Sequence, residues 1–301
     1  MTQRILLLGA AGQLGQALVP QLAALGSLTA LTRSECDLSR AEQIRMVVRT
    51  LRPHVIVNSA AYTAVDLAES EPELAARVNA AAPAVLAEEA RRLDAVLVHY
   101  STDYVFRGNR RGRYRETDPP DPVNVYGATK LAGEAAVRTH ERHLILRTSW
   151  LFSPRPRNFL STMLELAAGR DALEVVADQH GTPTSATCVA TATVHMLTKL
   201  LVRDGSFGTY HVACSGTASR HEYARFIVAE AWRAGARLRC RPEDVRAIIG
   251  TARRDPAARP ANSSLDNRQA MTAFDLHLPC WHQEVRAAVR AWLMQRGGWA
   301  T

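Results

Sequence analysis

Short apolar segments alternate with amphipathic stretches over the first 150 residues, and this alternation limits the chain to few folds. The apolar segments are continuous, as are strands buried on both faces of a parallel sheet. Strands that alternate with helices predict a parallel sheet covered on both sides, with right-handed crossovers. The predicted strands are 4–8, 28–31, 55–57, 96–100 and 144–147, and the predicted helices are 13–25, 41–51, 73–93 and 124–138.

The alternation is weaker after Trp150. We predict an α/β fold in which residues 1–150 form a Rossmann-type, doubly wound dinucleotide-binding domain. Segments near 185–216 are expected to return to that domain, and the rest of 151–301 is expected to form a smaller, mostly C-terminal α/β lobe. The elements predicted in this half are helices at 158–168, 188–202, 220–234 and 285–293, a strand at 210–213, and a loop at 251–264.

Composition excludes several classes of protein. The chain is 47% hydrophobic, which suffices for a large core, but no run of about 18 apolar residues predicts a membrane span. The apolar run near Met1 is short and leads directly into glycines, so it is typical of a first strand rather than of an export signal. We therefore expect a cytoplasmic protein. Its five cysteines form no Cys-x-x-Cys pair and its histidines show no ligand spacing, so no catalytic metal is expected.

The chain is basic, with a formal net charge of +8, and a basic surface is compatible with nucleic-acid binding. The arginines are mostly dispersed, however, which favours an ordinary solvated surface and no nucleic-acid partner. Lysine occurs only at Lys130 and Lys199, which makes the placement of Lys130 conspicuous. The one arginine cluster consists of Arg107, Arg110, Arg111, Arg113 and Arg115.

A glycine-rich turn, Gly9-Ala-Ala-Gly12-Gln-Leu-Gly15, lies directly after the first predicted strand and opens the first predicted helix. Its glycines allow a tight turn and a close approach of the backbone to a pyrophosphate, which the helix N-terminus would then bind. An ordinary strand–helix turn explains such a pattern equally well in isolation. Its place at the start of a strand–helix–strand unit favours dinucleotide binding.

The second predicted strand ends at Thr32-Arg33-Ser34, without an acid at its tip. This position faces the adenosine ribose in Rossmann folds, and an arginine there can pair with the 2′-phosphate of NADPH. The pattern favours NADPH over NADH, although Arg33 is also compatible with a plain surface position. Asp37 and Leu38 are placed to flank the adenine, and the small residues at 58–61 would let the backbone approach a cofactor.

Ser101-Thr102-Asp103 follows a predicted strand, and Tyr126-Gly-Ala-Thr-Lys130 follows some 25 residues later. Reduction of a ketone requires a proton for the developing alkoxide, which a tyrosine phenol can supply. The ordinary pKa of tyrosine, about 10, is high for this role. Lys130 lies one helical turn away on the same face, where its charge would favour the tyrosinate and bind a ribose. Thr102 would polarise the carbonyl.

The linked motifs resemble the dTDP-4-dehydrorhamnose reductase family of extended short-chain dehydrogenases. The resemblance runs from the glycine turn to the C-terminal region. The segments that carry it are 58–66, 68–72, 99–106, 124–134, 147–150, 178–184 and 259–263.

The resemblance implies NAD(P)H-dependent reduction of the C4 ketone of dTDP-4-dehydro-L-rhamnose to dTDP-L-rhamnose, with the second lobe binding the nucleotide sugar. Tyr126 would donate the proton and Lys130 would bind the ribose. Thr102, Asp103 and Trp150 would contact the sugar. Besides Gly9, Gly15, Arg33, Tyr126 and Lys130, the residues implied to bind the dinucleotide are Gly12, Gln13, Leu14, Thr32, Asp37, Leu38, Ala60, Ala61 and Tyr62.

Two other functions remain open. One is reduction of a different nucleotide-linked 4-keto sugar. The other is a non-catalytic, NADP-binding role like that of the regulatory subunit of methionine adenosyltransferase, which resembles this family. The joint presence of Thr102, Tyr126 and Lys130 favours an enzyme, because a pure binding protein has no need of the set.

The chain departs from the resemblance at one set of positions. Some members of the family bridge two subunits through a magnesium ion held by glutamates. The matching positions here are Ala17, Thr187 and Ala291, which offer no carboxylate to a hard cation. We therefore expect a monomer or a weak, metal-free homodimer.

Overall fold

The computed structural model describes residues 3–155, 157–202, 206–250 and 256–295. Its strands are β1 Gln3–Leu8, β2 Gly26–Leu31, β3 Val55–Asn58, β4 Val96–Thr102, β5 His143–Thr148, β6 Leu151–Phe152, β7 Leu173–Val176, β8 His180–Gly181, β9 Thr184–Ser185, β10 Gly208–His211, β11 Ala218–Ser219 and β12 Val245–Ile248. Its α-helices are α1 Gln13–Ala23, α2 Ala41–Leu51, α3 Val65–Ala68, α4 Pro72–Ala76, α5 Ala82–Leu93, α6 Val125–Val137, α7 Phe159–Gly169, α8 Ala186–Val202, α9 Arg220–Arg233, α10 Arg268–Phe274 and α11 Trp281–Gln295.

The central sheet has six parallel strands in the order β10-β5-β4-β3-β1-β2. Successive residues of β1 pack into opposite layers, because side chains alternate across a strand. Ile5 and Leu7 join the core under α1 and α8, whereas Leu6 and Leu8 join the core under α2 and α5. Helices therefore cover both faces of the sheet, which confirms the predicted doubly wound Rossmann-type fold.

The helix predicted over 73–93 consists of α4, a π-helical turn at Arg77–Ala81, and α5. The wide turn contains Asn79, whose side chain is buried. Its Nδ2 donates to the carbonyl of Tyr62 at 3.0 Å, and its Oδ1 accepts from the Tyr62 N–H at 2.9 Å. Such turns are common beside functional sites, and this one holds the segment that follows β3.

Three short strand pairs lie outside the central sheet: β7 with β12, β8 with β11, and β6 with β9. The sequence patterns predicted none of these pairs, because strands of two to four residues have no measurable periodicity. The strand β10 joins the edge of the main sheet beside β5. In the predicted loop at 251–264, residues 256–264 contain neither helix nor strand, and residues 251–255 lie outside the described residues.

None of the helices in the described part of the chain combines the length and the hydropathy that crossing a bilayer requires.

Candidate active site

A cavity of about 630 Å³ lies at the carboxyl ends of the central strands, the usual place for a ligand in an open α/β sheet, and residues of α7 and α9 also line it. Most of the site residues predicted from sequence line it. Those that do are Gly9, Gly12, Gln13, Leu14, Arg33, Asp37, Leu38, Ala60, Ala61, Tyr62, Thr102, Tyr126, Lys130 and Trp150. Gly15, Thr32 and Asp103 are not part of the lining and adjoin residues that are.

The glycine turn between β1 and α1 has a geometry that only glycine tolerates. Gly9 has a φ of 84°, and a Cβ on it would lie 2.7 Å from the backbone nitrogen of Ala60. A Cβ on Gly15 would lie 2.1 Å from the Gly9 carbonyl oxygen. Gly12 caps α1 without any side-chain hydrogen bond, so the first N–H groups of the helix remain available to an anion. The turn therefore fits a dinucleotide pyrophosphate.

The end of β2 presents Arg33 to the cavity as an exposed side chain. Two residues further along is an acid, Glu35, which the sequence analysis did not consider. Its Oε2 accepts from both the N–H and the hydroxyl of Thr32, each at 2.8 Å, and these bonds lower the Glu35 pKa. The carboxylate of Asp37 is likewise engaged by the Ser39 N–H at 2.9 Å. The strand tip thus presents an exposed cation, Arg33, whose charge also helps to lower the pKa of Asp37.

Tyr126 lies in the first turn of α6, whose N-cap Asn124 accepts a hydrogen bond from the Gly127 N–H at 2.7 Å. Burial raises the Tyr126 pKa, and a hydrogen bond with Thr102 opposes that rise. The ring of Tyr104 contacts that of Tyr126 edge-on, with centroids 5.8 Å apart. The phenol is therefore protonated at neutral pH and lies near the other predicted catalytic hydroxyl, that of Thr102.

Lys130 is almost completely buried one turn further along α6. Its Nζ donates to the carbonyl oxygen of Tyr100 at 2.6 Å and lies 3.2 Å from Nε2 of His99. Burial lowers the Lys130 pKa to about 8. The sequence analysis expected this charge to lower the Tyr126 pKa. In the structure, the ammonium group is bound to β4, and the Thr102 hydrogen bond is the interaction that lowers the Tyr126 pKa.

Trp150 lines the cavity, and Asp103 lies behind Thr102, which also lines it. Asp103 is buried, accepts from the Thr102 hydroxyl at 3.0 Å and from the Ser149 hydroxyl at 2.9 Å, and has a pKa raised by burial. Trp150 has a φ of 44°, which is unusual for a bulky residue and is typical of functional sites. A Cβ on Gly181 would lie 2.3 Å from its ring, so one side of the indole packs against bare backbone.

Sequence reasoning missed several lining residues: Tyr104, Thr148, Phe159, Arg220 and Tyr223. The hydroxyls of Thr148 and Tyr223 are buried and have no hydrogen-bond partner within the described residues. Buried polar groups are normally paired, so these two unpartnered hydroxyls, on residues that line the cavity, are exceptions that a bound ligand would explain. Tyr104 and Thr148 stand inside the quoted motifs. Arg220 and Tyr223 lie on α9, in a segment that carries no motif.

A family model described as "RmlD substrate binding domain" matches residues 3–294. The dTDP-4-dehydrorhamnose reductase of Salmonella typhimurium is 44% identical over 287 residues, covering 94% of this chain and 95% of that protein. The enzyme of the same name from Burkholderia thailandensis is 45% identical over 302 residues, covering 97% of this chain and 100% of that protein. The chain belongs to the dTDP-4-dehydrorhamnose reductase family. This finding confirms the resemblance inferred from the linked motifs.

Solved structures of dTDP-4-dehydrorhamnose reductases have the same fold. That of Bacillus anthracis, in complex with NADP, has a TM-score of 0.86 and 35% identity, covering 97% of this chain and 100% of that one. The ortholog from Clostridium acetobutylicum has a TM-score of 0.88 and 31% identity, covering 97% of this chain and 99% of that one. The Rossmann-type architecture is thus shared along nearly the whole length of these family members.

This member of the dTDP-4-dehydrorhamnose reductase family carries no carboxylate at the three positions where the sequence analysis looked for the ligands of a bridging magnesium ion. Ala17 lies on α1, Thr187 on α8 and Ala291 on α11. The described residues contain no group of three histidine, cysteine, aspartate or glutamate side chains suited to a metal ion. The absence of a bridging metal remains a prediction.

Proposed function

We propose that this protein reduces the C4 ketone of dTDP-4-dehydro-L-rhamnose to the alcohol of dTDP-L-rhamnose, with NADPH as the preferred cofactor. One observation carries the proposal: Tyr126, Lys130 and Thr102 line the same cavity as the glycine turn, with Thr102 close enough to Tyr126 to lower its pKa. Membership of the dTDP-4-dehydrorhamnose reductase family supports the choice of substrate.

The cofactor would lie along the ends of β1, β2 and β3. Gly9, Gly12 and the start of α1 would hold its pyrophosphate, while Asp37 and Leu38 flank the adenine. The bound nicotinamide supplies the hydride that reduces the ketone carbon. Arg33 supports NADPH over NADH, because a guanidinium pairs with a 2′-phosphate and Glu35 is already engaged by Thr32. The relative from Bacillus anthracis was crystallised with NADP.

The protein's own groups would handle the proton. The Tyr126 hydroxyl would donate its proton to the ketone oxygen as negative charge develops there. Thr102 would polarise the same oxygen once its hydroxyl turns from Asp103 to the ketone. The Lys130 ammonium group uses two of its three N–H donors to contact the Tyr100 carbonyl and His99. These contacts fix the orientation of the side chain and leave the third donor for the cofactor ribose. At neutral pH most of the Lys130 population is charged, because its pKa is about 8.

The test is to incubate the protein with dTDP-4-dehydro-L-rhamnose and NADPH, to follow NADPH oxidation and to identify the product. Tyr126→Phe should reduce turnover by about 10²- to 10⁴-fold, the usual cost of a lost general acid, with NADPH affinity nearly unchanged. Near-wild-type turnover in this variant would refute the assigned role.

The same assay separates the alternative functions. Oxidation of NADPH only with a different nucleotide-linked 4-keto sugar would identify another substrate. Tight NADPH binding without turnover of any such sugar would favour a non-catalytic binding subunit.

A further inference from the structure

Three cationic side chains line the cavity within the described part of the chain: Arg33, Lys130 and Arg220. Arg33 lies at the predicted adenosine end, and Lys130 is bound to β4. Arg220 approaches from the opposite side, at the first position of α9 in the smaller lobe. Neither the motifs nor the proposed proton transfer assigns a role to Arg220.

The guanidinium of Arg220 has an unusual environment for a positive charge. It lies 3.6 Å from the ring centroid of Trp150 and 5.1 Å from that of Phe159, and it hydrogen-bonds to Tyr104. Among the described residues no carboxylate forms an ion pair with it. The nearby carboxylate of Asp103 already accepts hydrogen bonds from two hydroxyls.

Tyr223 is an independent indication of a ligand at the same place. It lies three residues after Arg220 on α9, so both side chains project from one face of the helix. Its side chain is 1% exposed and packs among Trp150, Phe159 and Trp281. Tyr223 lines the cavity, and its buried hydroxyl has no hydrogen-bond partner in the described chain. A half-buried cation and a tyrosine with an unpartnered hydroxyl therefore line the same part of the cavity.

We propose that Arg220 and Tyr223 bind the diphosphate that joins the nucleoside to the sugar in the substrate. This inference rests on the proposed function. A guanidinium pairs with phosphate oxygens through two parallel hydrogen bonds, and a tyrosine hydroxyl adds a third. The N-terminus of α1 would bind the pyrophosphate of the cofactor, so the residues on α9 are available to bind the diphosphate of the substrate. A buried cation without a carboxylate is costly, and an anionic ligand offsets that cost.

The experiment measures dTDP binding by calorimetry in the wild type, Arg220→Gln, Arg220→Lys and Tyr223→Phe. Arg220→Gln should weaken dTDP binding by about 10- to 100-fold, the effect of losing a hydrogen bond to a charged group. The dTDP affinity of Arg220→Lys should lie between those of the wild type and Arg220→Gln, because lysine keeps the positive charge but cannot form two parallel hydrogen bonds with a phosphate. Tyr223→Phe should weaken dTDP binding by about 2- to 10-fold. In turnover, KM for the keto sugar should rise while kcat changes little.

Arg225→Gln is the matched control, since Arg225 lies on the same helix, carries the same charge and is exposed outside this cavity. It should bind dTDP as the wild type does. The NADPH affinity of all variants should equal that of the wild type, which also shows that they are folded.

Two outcomes would overturn the inference. In the first, Arg220→Gln binds dTDP normally while its KM for the keto sugar rises, which would place Arg220 on the sugar. In the second, NADPH affinity falls along with dTDP affinity, which would place Arg220 at the cofactor. Arg220-dependent dTDP binding by a wild-type protein that reduces no keto sugar would support this inference and refute the proposed function instead.

Discussion

At the scale of single residues, burial sets the protonation states of the site. Desolvation disfavours charge, so it raises the pKa of the Tyr126 phenol and lowers that of the Lys130 ammonium. His99 lies against Lys130 and is fully buried, and its pKa is also lowered by burial. The phenol consequently enters the reaction with its proton, and the lysine stays cationic below about pH 8. Arg33 differs, because it is exposed and its charge is open to a ligand.

Arg33→Ala should weaken NADPH binding more than NADH binding, because only NADPH carries the 2′-phosphate with which a guanidinium can pair. The expected loss for NADPH is about 10-fold or more, from a lost charge-assisted hydrogen bond. Fluorescence titration with each cofactor measures both affinities. Arg40→Ala is the control, since Arg40 is exposed but does not line the cavity. Equal losses for the two cofactors in Arg33→Ala would contradict the assignment.

At the scale of elements, the position of α6 is decisive, because this helix carries both Tyr126 and Lys130. One turn beyond Lys130, Glu134 accepts from Nε of Arg147 at 2.8 Å and from its Nη2 at 2.7 Å. Both side chains are at most 1% exposed, and Arg147 belongs to β5. This buried bidentate pair fixes the helix against the sheet, since each charge would be unpaired if the helix shifted.

Glu134→Gln should lower the free energy of unfolding by about 3–5 kcal/mol, because it leaves the Arg147 charge buried without its partner. Urea denaturation at neutral pH measures the loss. Arg138 also pairs with Glu134, at 2.7 Å, but its side chain is 39% exposed, so Arg138→Ala should cost no more than about 1 kcal/mol. The double variant Glu134→Leu, Arg147→Met should recover much of the stability, because it removes both charges. Similar losses in Glu134→Gln and Arg138→Ala would refute this account.

At the scale of the whole molecule, buried groups and surface charge determine stability and association. The arginine cluster at 107–115 is partly neutralised, since Arg107 lies 2.6 Å from Asp121 and Arg110 lies 2.6 Å from Asp118. Inside the protein, His211 is fully buried between β5 and the loops that cover it. The folded protein holds the His211 imidazole in its neutral form, so the stability of the whole chain depends on pH.

The stability should fall as the pH drops below about 6.5. Burial lowers the His211 pKa from 6.5 to about 3, with a smaller contribution from Arg147. Between about pH 6.5 and pH 3, the histidine is therefore protonated in the unfolded chain but not in the folded one, so the free energy of unfolding decreases as the pH falls through this range. The other charged groups that act on the ring are Glu116 and Glu134, and the backbone of Asp266 hydrogen-bonds to it. The raised pKa of Glu116 has the opposite sign and favours the fold as that carboxyl is protonated.

The variant His211→Gln isolates this contribution. Between pH 6 and pH 4, its free energy of unfolding should fall less steeply than that of the wild type, by about 1.4 kcal/mol per pH unit for one proton. Urea denaturation across this range provides the slopes, and the two proteins should show no such difference in slope above pH 7.5. Parallel slopes throughout would show that His211 does not drive the acid sensitivity.

Assembly should not depend on a metal. Ala17 and Ala291 supply no ligand and Thr187 only a neutral hydroxyl, whereas magnesium gives up its waters for carboxylates or phosphates. EDTA should leave both the activity and the mass measured by light scattering unchanged, for a monomer or a weak homodimer. A dimer that dissociates in EDTA, or activity restored only by magnesium, would prove this wrong.

The sequence by itself determined what is encoded locally. Continuous apolar runs predicted the strands of the main sheet, because burial on both faces leaves no polar position in a strand. The glycine turn and the Tyr126–Lys130 spacing predicted neighbours on one cavity wall, since each depends on backbone geometry within a few residues. Only the tertiary structure decided which residues complete the wall. Arg220 and Tyr223 reach it from a helix over 90 residues beyond Tyr126, through packing of the smaller lobe that no local pattern records.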